Sequence, residues 1–256
     1  MIKKLKDFYK ELGLTFTLVK RDYALQYAGS FLGVFWMLAQ NLSLVVVYTF
    51  VIFIFQNSSS NKIYPNLLCG LLFWLPLQEM FIKGTTILSE NRNLIKRSSL
   101  GLEIFLNIPF YQMLIHFAIT SIPIFILLAY LSVLNVSLFL LSFVYIFSFG
   151  KFVQLALSYL ARVNIILKDI TPIVRLTSIG FFWTLPIMYD SRNSQILEKI
   201  NSLNPLNVPL DLFKNIVLEN HSLQFNVLGF LPFLIIFLGV QILSKGKFHK
   251  IVLDHL

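Results

Sequence analysis

Six long stretches of uninterrupted apolar sequence constrain this chain more than any other feature. They run Phe31–Phe55, Ile63–Ile82, Ile104–Leu131, Val136–Leu160, Ile170–Tyr189 and Phe225–Leu243. A helix needs about 20 apolar residues to cross about 30 Å of hydrocarbon, so each run is long enough to span. The runs are continuous, unlike the alternating segments of about ten residues found in barrel strands. Charged residues make up only 13% of the 256 residues, against roughly 25% in soluble domains. So thin a polar coat cannot cover a globule that is 57% apolar. The expectation is an all-α integral membrane protein with six transmembrane helices, forming one transmembrane domain over 1–256.

The basic residues sort between alternate loops. Lys3, Lys4, Lys6, Lys10, Lys20 and Arg21 precede the first run, and Lys83, Arg92, Lys96 and Arg97 follow the second. Arg162 and Lys168 follow the fourth, and Lys245, Lys247 and Lys250 follow the sixth. The opposite loops hold only Lys62, Arg192, Lys199 and Lys214. The bias toward cytoplasmic lysine and arginine predicts a multi-pass protein of the cytoplasmic (inner) membrane with both termini in the cytoplasm. The net charge of +9 is then a topology signal, and no solvated basic domain remains to bind nucleic acid. The mixed first 30 residues do not resemble a cleaved signal peptide.

Outside the runs, two segments are amphipathic. In residues 1–22, Ile2, Leu5, Phe8, Leu12, Phe16 and Val19 recur at helical steps among Lys and acidic residues. This predicts an interface helix weakened at Gly13, the alternative being a soluble helix packed on a partner. In residues 190–224, Ile196, Leu197, Ile200 and Leu203 form one short apolar face, and Leu210, Phe213, Ile216 and Val217 form a second beyond Asn204-Pro205. Two short helices re-entering the outer leaflet, or a surface hairpin, both fit this pattern.

Several kinds of chemistry have no counterpart. There is no phosphate-cradling G-x-x-x-x-G-K-[ST] loop and no G-x-S-x-G elbow. His116, His221, His249 and His255 are scattered, so no metal site or bound cofactor is expected, and Cys69 reads as a core side chain. His249 and Asp254 have a spacing used by some membrane acyltransferases, which keeps a membrane acyl- or glycosyltransferase as a rival from another class.

Small and polar residues inside spans mark faces that meet protein or water. On the first span, Gly29, Gly33, Trp36, Gln40 and Ser43 share a stripe at 100° per residue, with Asn41 and Tyr48 beside it. Aromatic and amide groups together suit a wall that sugars slide along; helix packing is the alternative. On the fourth span, Ser148, Lys151, Gln154, Ser158 and Arg162 form another stripe. Lys151 lies roughly 15 Å by helix rise from the cytoplasmic end, so a water-lined path, an interhelical pair and snorkelling are all open. Arg175 is a second intramembrane cation, and Glu79 with Lys83 reads as a local i,i+4 pair.

Five strings, in register along the chain, resemble the polysaccharide-export permeases of the ABC-2 type, which export O-antigen, capsule and teichoic acid. They are Lys20-Arg21-Asp22 with Tyr27-Ala28-Gly29-Ser30-Phe31-Leu32-Gly33 and Trp36; Glu90-Asn91-Arg92-Asn93-Leu94-Ile95-Lys96-Arg97; Asn164 with Lys168-Asp169-Ile170; Leu185-Pro186-Ile187-Met188-Tyr189; and Leu203-Asn204-Pro205-Leu206. Leu185 replaces the usual Ser and Lys168 the usual Arg. The resemblance implies a second copy of the chain and two nucleotide-binding ATPase subunits, which would hold ATP and Mg. It further implies a lipid-linked glycan, O-antigen first, entering from the cytoplasmic leaflet among membrane lipids. Glu90, Asn91, Arg92, Asn93, Leu94, Lys96 and Arg97 would couple to the ATPase. Pro186, Tyr189, Asn204, Pro205 and Asp211 would belong to an outer gate. Trp36, Gln40, Asn41, Ser43, Tyr48, Lys151 and Arg175 would line the path. The permease would not itself be an enzyme. A permease of the same type for a drug or a lipid is the nearest alternative.

Overall fold

The structure is a computed structural model and describes residues 2–33, 35–55, 63–98, 100–189 and 195–218. The sixth apolar run, Phe225–Leu243, and the His249–Asp254 pair lie outside these residues. The described residues form ten helices: α1 Ile2–Gln26, α2 Phe35–Phe55, α3 Ile63–Glu90, α4 Arg92–Arg97, α5 Leu102–Leu106, α6 Ile108–Tyr130, α7 Phe139–Ile166, α8 Ile170–Thr184, α9 Gln195–Leu203 and α10 Asn207–Val217.

Three stretches among the described residues are long and apolar enough to cross a membrane: α3, α5–α6 taken together, and α7. The protein is therefore all-α with some membrane-spanning character, and three such stretches stand where six were expected. α3 is the central helix and packs against α2, α6, α7, α8 and α10. Its segment Leu67–Leu77 is buried on every side, which is why this helix carries no amphipathic stripe. The expected third span is interrupted at Asn107, between α5 and α6. Pro109 in the first turn of α6 has no N–H to continue the α5 ladder.

The expected fifth span, Ile170–Tyr189, is a helix only to Thr184. Leu185 is extended (φ −81°, ψ 139°) because the ring of Pro186 clashes with a helical residue before it. At 15 residues, α8 is about 22 Å long, against about 42 Å for the 28 residues of α3.

The start of the first span also differs. Gly29 and Gly33 do not lie on a helix: both have positive φ (76° and 53°) and form the turn that leads into α2 at Phe35. Gly33 N–H donates to Ser30 Oγ at 3.1 Å, closing that turn. The small residues of the stripe thus belong to a turn between α1 and α2, in a conformation glycine adopts without a Cβ penalty. Upstream, α1 runs unbroken through Gly13 to Gln26. Thr15, Leu18, Val19 and Tyr23 form its buried ridge against the α5–α6 region.

At the far end of α3, α10 inserts beside α3 and α7. Pro209, Leu210, Phe213, Lys214 and Val217 are buried there. Rings of Phe73, Phe117, Tyr145 and Phe213 interleave across α3, α6, α7 and α10. Leu134, in the loop between α6 and α7, forms an antiparallel bridge with Leu218. α10 is therefore packed into the helix bundle, whereas α9 leaves Ile196 and Leu203 exposed.

Candidate functional site

The end of the bundle around α1 carries a network of charged and amide groups. Asp22 of α1 pairs with Lys83 of α3 at 2.6 Å, and its Oδ2 also accepts from Gln112 Nε2 of α6 at 2.6 Å. Lys83 Nζ additionally donates to Gln26 Oε1 at 3.4 Å. Tyr23 donates its hydroxyl to the Gln112 carbonyl at 3.3 Å. Burial, then the nearby Glu79 carboxylate, pushes the Tyr23 phenol well up, so it remains a donor. Arg21 bonds the Asn91 side-chain oxygen, and Asn91 Nδ2 returns to the Ile87 carbonyl at 3.0 Å. α1 is thus tied to the junction of α3 and α4 as well as to α6.

One step further along α3, Glu79 bonds His116 Nδ1 of α6, and His116 Nε2 meets the amide of Asn41 of α2. A carboxylate only accepts, so Nδ1 carries the proton, and Nε2 is left to accept from the Asn41 amide. The chain Glu79–His116–Asn41 thereby joins three helices through one imidazole. Glu79 and Lys83 do not pair locally as their spacing suggested: each reaches a different helix. Asp22, Glu79, Lys83 and Glu90 line an open cleft of about 530 Å3, with Leu25, Gln26, Ile82 and Thr86.

The path residues expected on α2 divide between two sides. Trp36, Gln40 and Ser43 are exposed, with Ser43 Oγ donating to the Gln40 carbonyl at 2.7 Å. Asn41 is buried against His116, and the half-buried Tyr48 packs its ring on Phe182 of α8. At 100° per residue, Asn41 and Tyr48 stand more than about 100° from the Trp36–Gln40–Ser43 line, so one wall cannot hold all five.

Lys151 engages the α5–α6 junction. Its ammonium donates to Asn107 Oδ1 at 3.1 Å and to Gln154 Oε1 at 2.9 Å, and sits 4.2 Å from the Phe110 ring centroid. Gln154 Nε2 completes the knot by donating to Asn107 Oδ1 and the Leu106 carbonyl. The structure thus places the Lys151 ammonium between α7 and the α5–α6 junction. Arg162 pairs with Glu103 of α5 at 2.5 Å, and Arg175 is exposed on α8.

In the coupling segment, Glu90, Arg92, Asn93, Lys96 and Arg97 are exposed, Leu94 is half-buried, and Asn91 and Ile95 are buried. α4 is therefore a short helix with one anchored face and one basic open face. In the gate group, Pro186 is buried, and its carbonyl accepts from the buried Lys214 ammonium at 2.6 Å. Asn204 Nδ2 donates to Phe181 O at 3.1 Å and to Thr184 Oγ1 at 2.7 Å, tying the α9–α10 junction to the end of α8. Tyr189 donates to Asn201 Oδ1 at 3.0 Å. Pro205 is half-buried at that junction, and the half-buried Asp211 accepts on its backbone carbonyl from Asn215 at 2.7 Å.

Sequence reasoning gave no partner to three residues that the structure uses to join helices. His116 looked isolated, because its partners are 37 and 75 positions away. Gln112 stands one turn before it on α6, a period-four signal that was available. Asn164 donates to Thr85 O at 3.0 Å and accepts from Thr171 Oγ1 at 3.1 Å, which fastens α3, α7 and α8 together. Among the described residues, no group of three or more His, Cys, Asp or Glu is placed to hold a metal ion.

No family model matches the chain. Among curated proteins, the O-antigen export system permease protein RfbA of Myxococcus xanthus is 24% identical over 190 residues, covering 74% of this chain and 73% of that protein. This is distant homology to a permease.

Proposed function

We propose that this protein is the transmembrane permease subunit of an ABC-2 type exporter that carries a lipid-linked polysaccharide, O-antigen foremost, across the cytoplasmic membrane. The observation that carries the reading is the homology to an O-antigen export permease, spread over about three quarters of both chains. The five strings in register support it. In this reading α2, α3, α5–α6, α7, α8 and the Phe225–Leu243 run are the six spans. Both termini are cytoplasmic, α1 lies at the headgroups, and the α9–α10 hairpin stands on the outer side. The chain hydrolyses nothing itself; two partner ATPase subunits bind ATP and Mg.

The mechanism follows from how α4 is attached. A single residue, Asn91, separates α4 from α3, and Arg21 holds that residue to α1. Displacement of α4 by a closing ATPase would therefore move the central helix and the interface helix together. Two copies rocking apart would open a path along the exposed Trp36–Gln40–Ser43 face of α2 and the Arg175 side of α8. Weak, repeated contacts with sugars suit a polymer that must slide. Arg175 would attract the anionic pyrophosphate or glycan.

The test is the triple substitution Arg92→Glu, Lys96→Glu and Arg97→Glu, assayed in cells and in the purified complex with its ATPase. Insertion should persist while export and transport-linked ATP hydrolysis fall to background. Export at the wild-type rate would overturn the coupling role of α4.

A further inference from the structure

We propose that Lys151 is a binding site for the phosphate of an anionic phospholipid in the leaflet where α1 lies, independent of any transported cargo. Three observations converge on it.

The first is charge. Among the described residues, the Lys151 ammonium meets only neutral groups: Asn107 Oδ1, Gln154 Oε1 and the faces of Phe110 and Tyr111. Glu103, one helical turn before Asn107, is engaged by Arg162 at 2.5 Å. A cation inside a span with no counter-ion among the described residues is costly, and an external anion relieves that cost. The two amides and two rings orient the ammonium but do not neutralise it.

The second is depth. Helix rise along α7 suggested a position far from the cytoplasmic surface, but the neighbours say otherwise. Lys151 lies 5.6 Å from the Tyr111 ring, and Tyr111 packs at 5.0 Å on Phe16 of α1. One side chain thus separates Lys151 from α1, which under the proposed function lies at the level of the lipid phosphates.

The third is the surface around it. On the same face of α7, Leu140, Val144 and Phe147 are exposed. The eleven helical steps from Leu140 to Lys151 offer about 16 Å of largely apolar helix running away from the ammonium. A ligand that places an anion on Lys151 and a hydrocarbon chain on this strip is an amphiphile with a phosphate head. Bilayer phospholipid meets that description at the concentration of the solvent itself.

The test uses the purified full-length chain without ATP or partner, so that its failure is separate from any failure of the transport reading. Native mass spectrometry in mixed micelles should find phosphatidylglycerol retained over phosphatidylcholine. Retention should weaken about tenfold in Lys151→Gln, since a hydrogen bond to a charged group is lost. It should persist in Lys151→Arg and in Lys199→Gln on α9. Equal retention of the two lipids, or unchanged retention in Lys151→Gln, overturns the proposal. A second measurement needs only wild type: reductive methylation of Lys151 should be slowed in phosphatidylglycerol vesicles relative to phosphatidylcholine vesicles. Equal labelling overturns the proposal. Protection by an added polyprenyl pyrophosphate but not by phosphatidylglycerol also overturns it, assigning the site to cargo instead.

Discussion

The two ends of the helix bundle are held together by different forces. Around α10, rings of Phe73, Phe117, Tyr145 and Phe213 fill the space between four helices, and the buried Lys214 ammonium is pinned to the Pro186 carbonyl at their edge. Around α1, the contacts are charge and amide pairs, from Asp22–Lys83 to Glu79–His116–Asn41, beside an open cleft. Lipid tails are as apolar as the helices, so the aromatic end depends on shape rather than on escape from water. Shape is lost abruptly when a ring is removed or a clash is introduced. The Asp22–Lys83 pair lines the cleft and can exchange partners with water there at small cost. The aromatic end is therefore suited to be a fixed pivot, and the polar end to be the part that moves.

The largest expected effect tests the pivot. Phe213→Ala leaves a cavity among four helices and should destabilise the solubilised protein by about 3 kcal/mol or more, read by thermal unfolding. A loss as small as that of an exposed residue would remove the distinction between the ends. Next is Gly70→Ala: a Cβ there would stand 2.8 Å from Ile187 Cγ2, a stiff branched side chain. Overpacking should lower stability by about 1–3 kcal/mol and loosen the Leu185–Ile187 turn, detectable as faster proteolysis after α8.

The polar end should respond less, and in a coupled way. Lys83→Met should cost about 1 kcal/mol, and adding Asp22→Asn should not cost the sum of the two single changes. Additive losses would show that this pair contributes nothing jointly. The smallest effect should be Gly29→Ala, about 1 kcal/mol from a non-glycine residue at φ 76°, with nothing within 4 Å for the new methyl to strike.

What could be read in advance follows the same division. Helices α3, α6 and α7 were legible because a long apolar run has only one way to satisfy its backbone in lipid. The end of α8 was legible in principle, since Pro186 acts on its immediate neighbour. The polar end was not. Glu79 and Lys83 stand four apart, the spacing of a local pair, yet each found a better partner on another helix. Gly29 and Gly33 also stand four apart, the spacing of a helix contact, yet their φ values belong to a turn. Spacing along a sequence reports what a regular helix would bring together, and it is blind both to tertiary rivals and to the points where the helix has not begun.

The early stop of α8 has a consequence for the solvent around the protein. If α8 is a span, as proposed, a helix of about 22 Å beside neighbours of about 42 Å would set up hydrophobic mismatch on its own side of the bundle. Any lipid meeting the face of α8 turned away from the proposed path would have to thin or tilt to follow the short wall. The thickness of the host bilayer thereby becomes a variable the molecule can feel, and thicker membranes would strain the α8 side first.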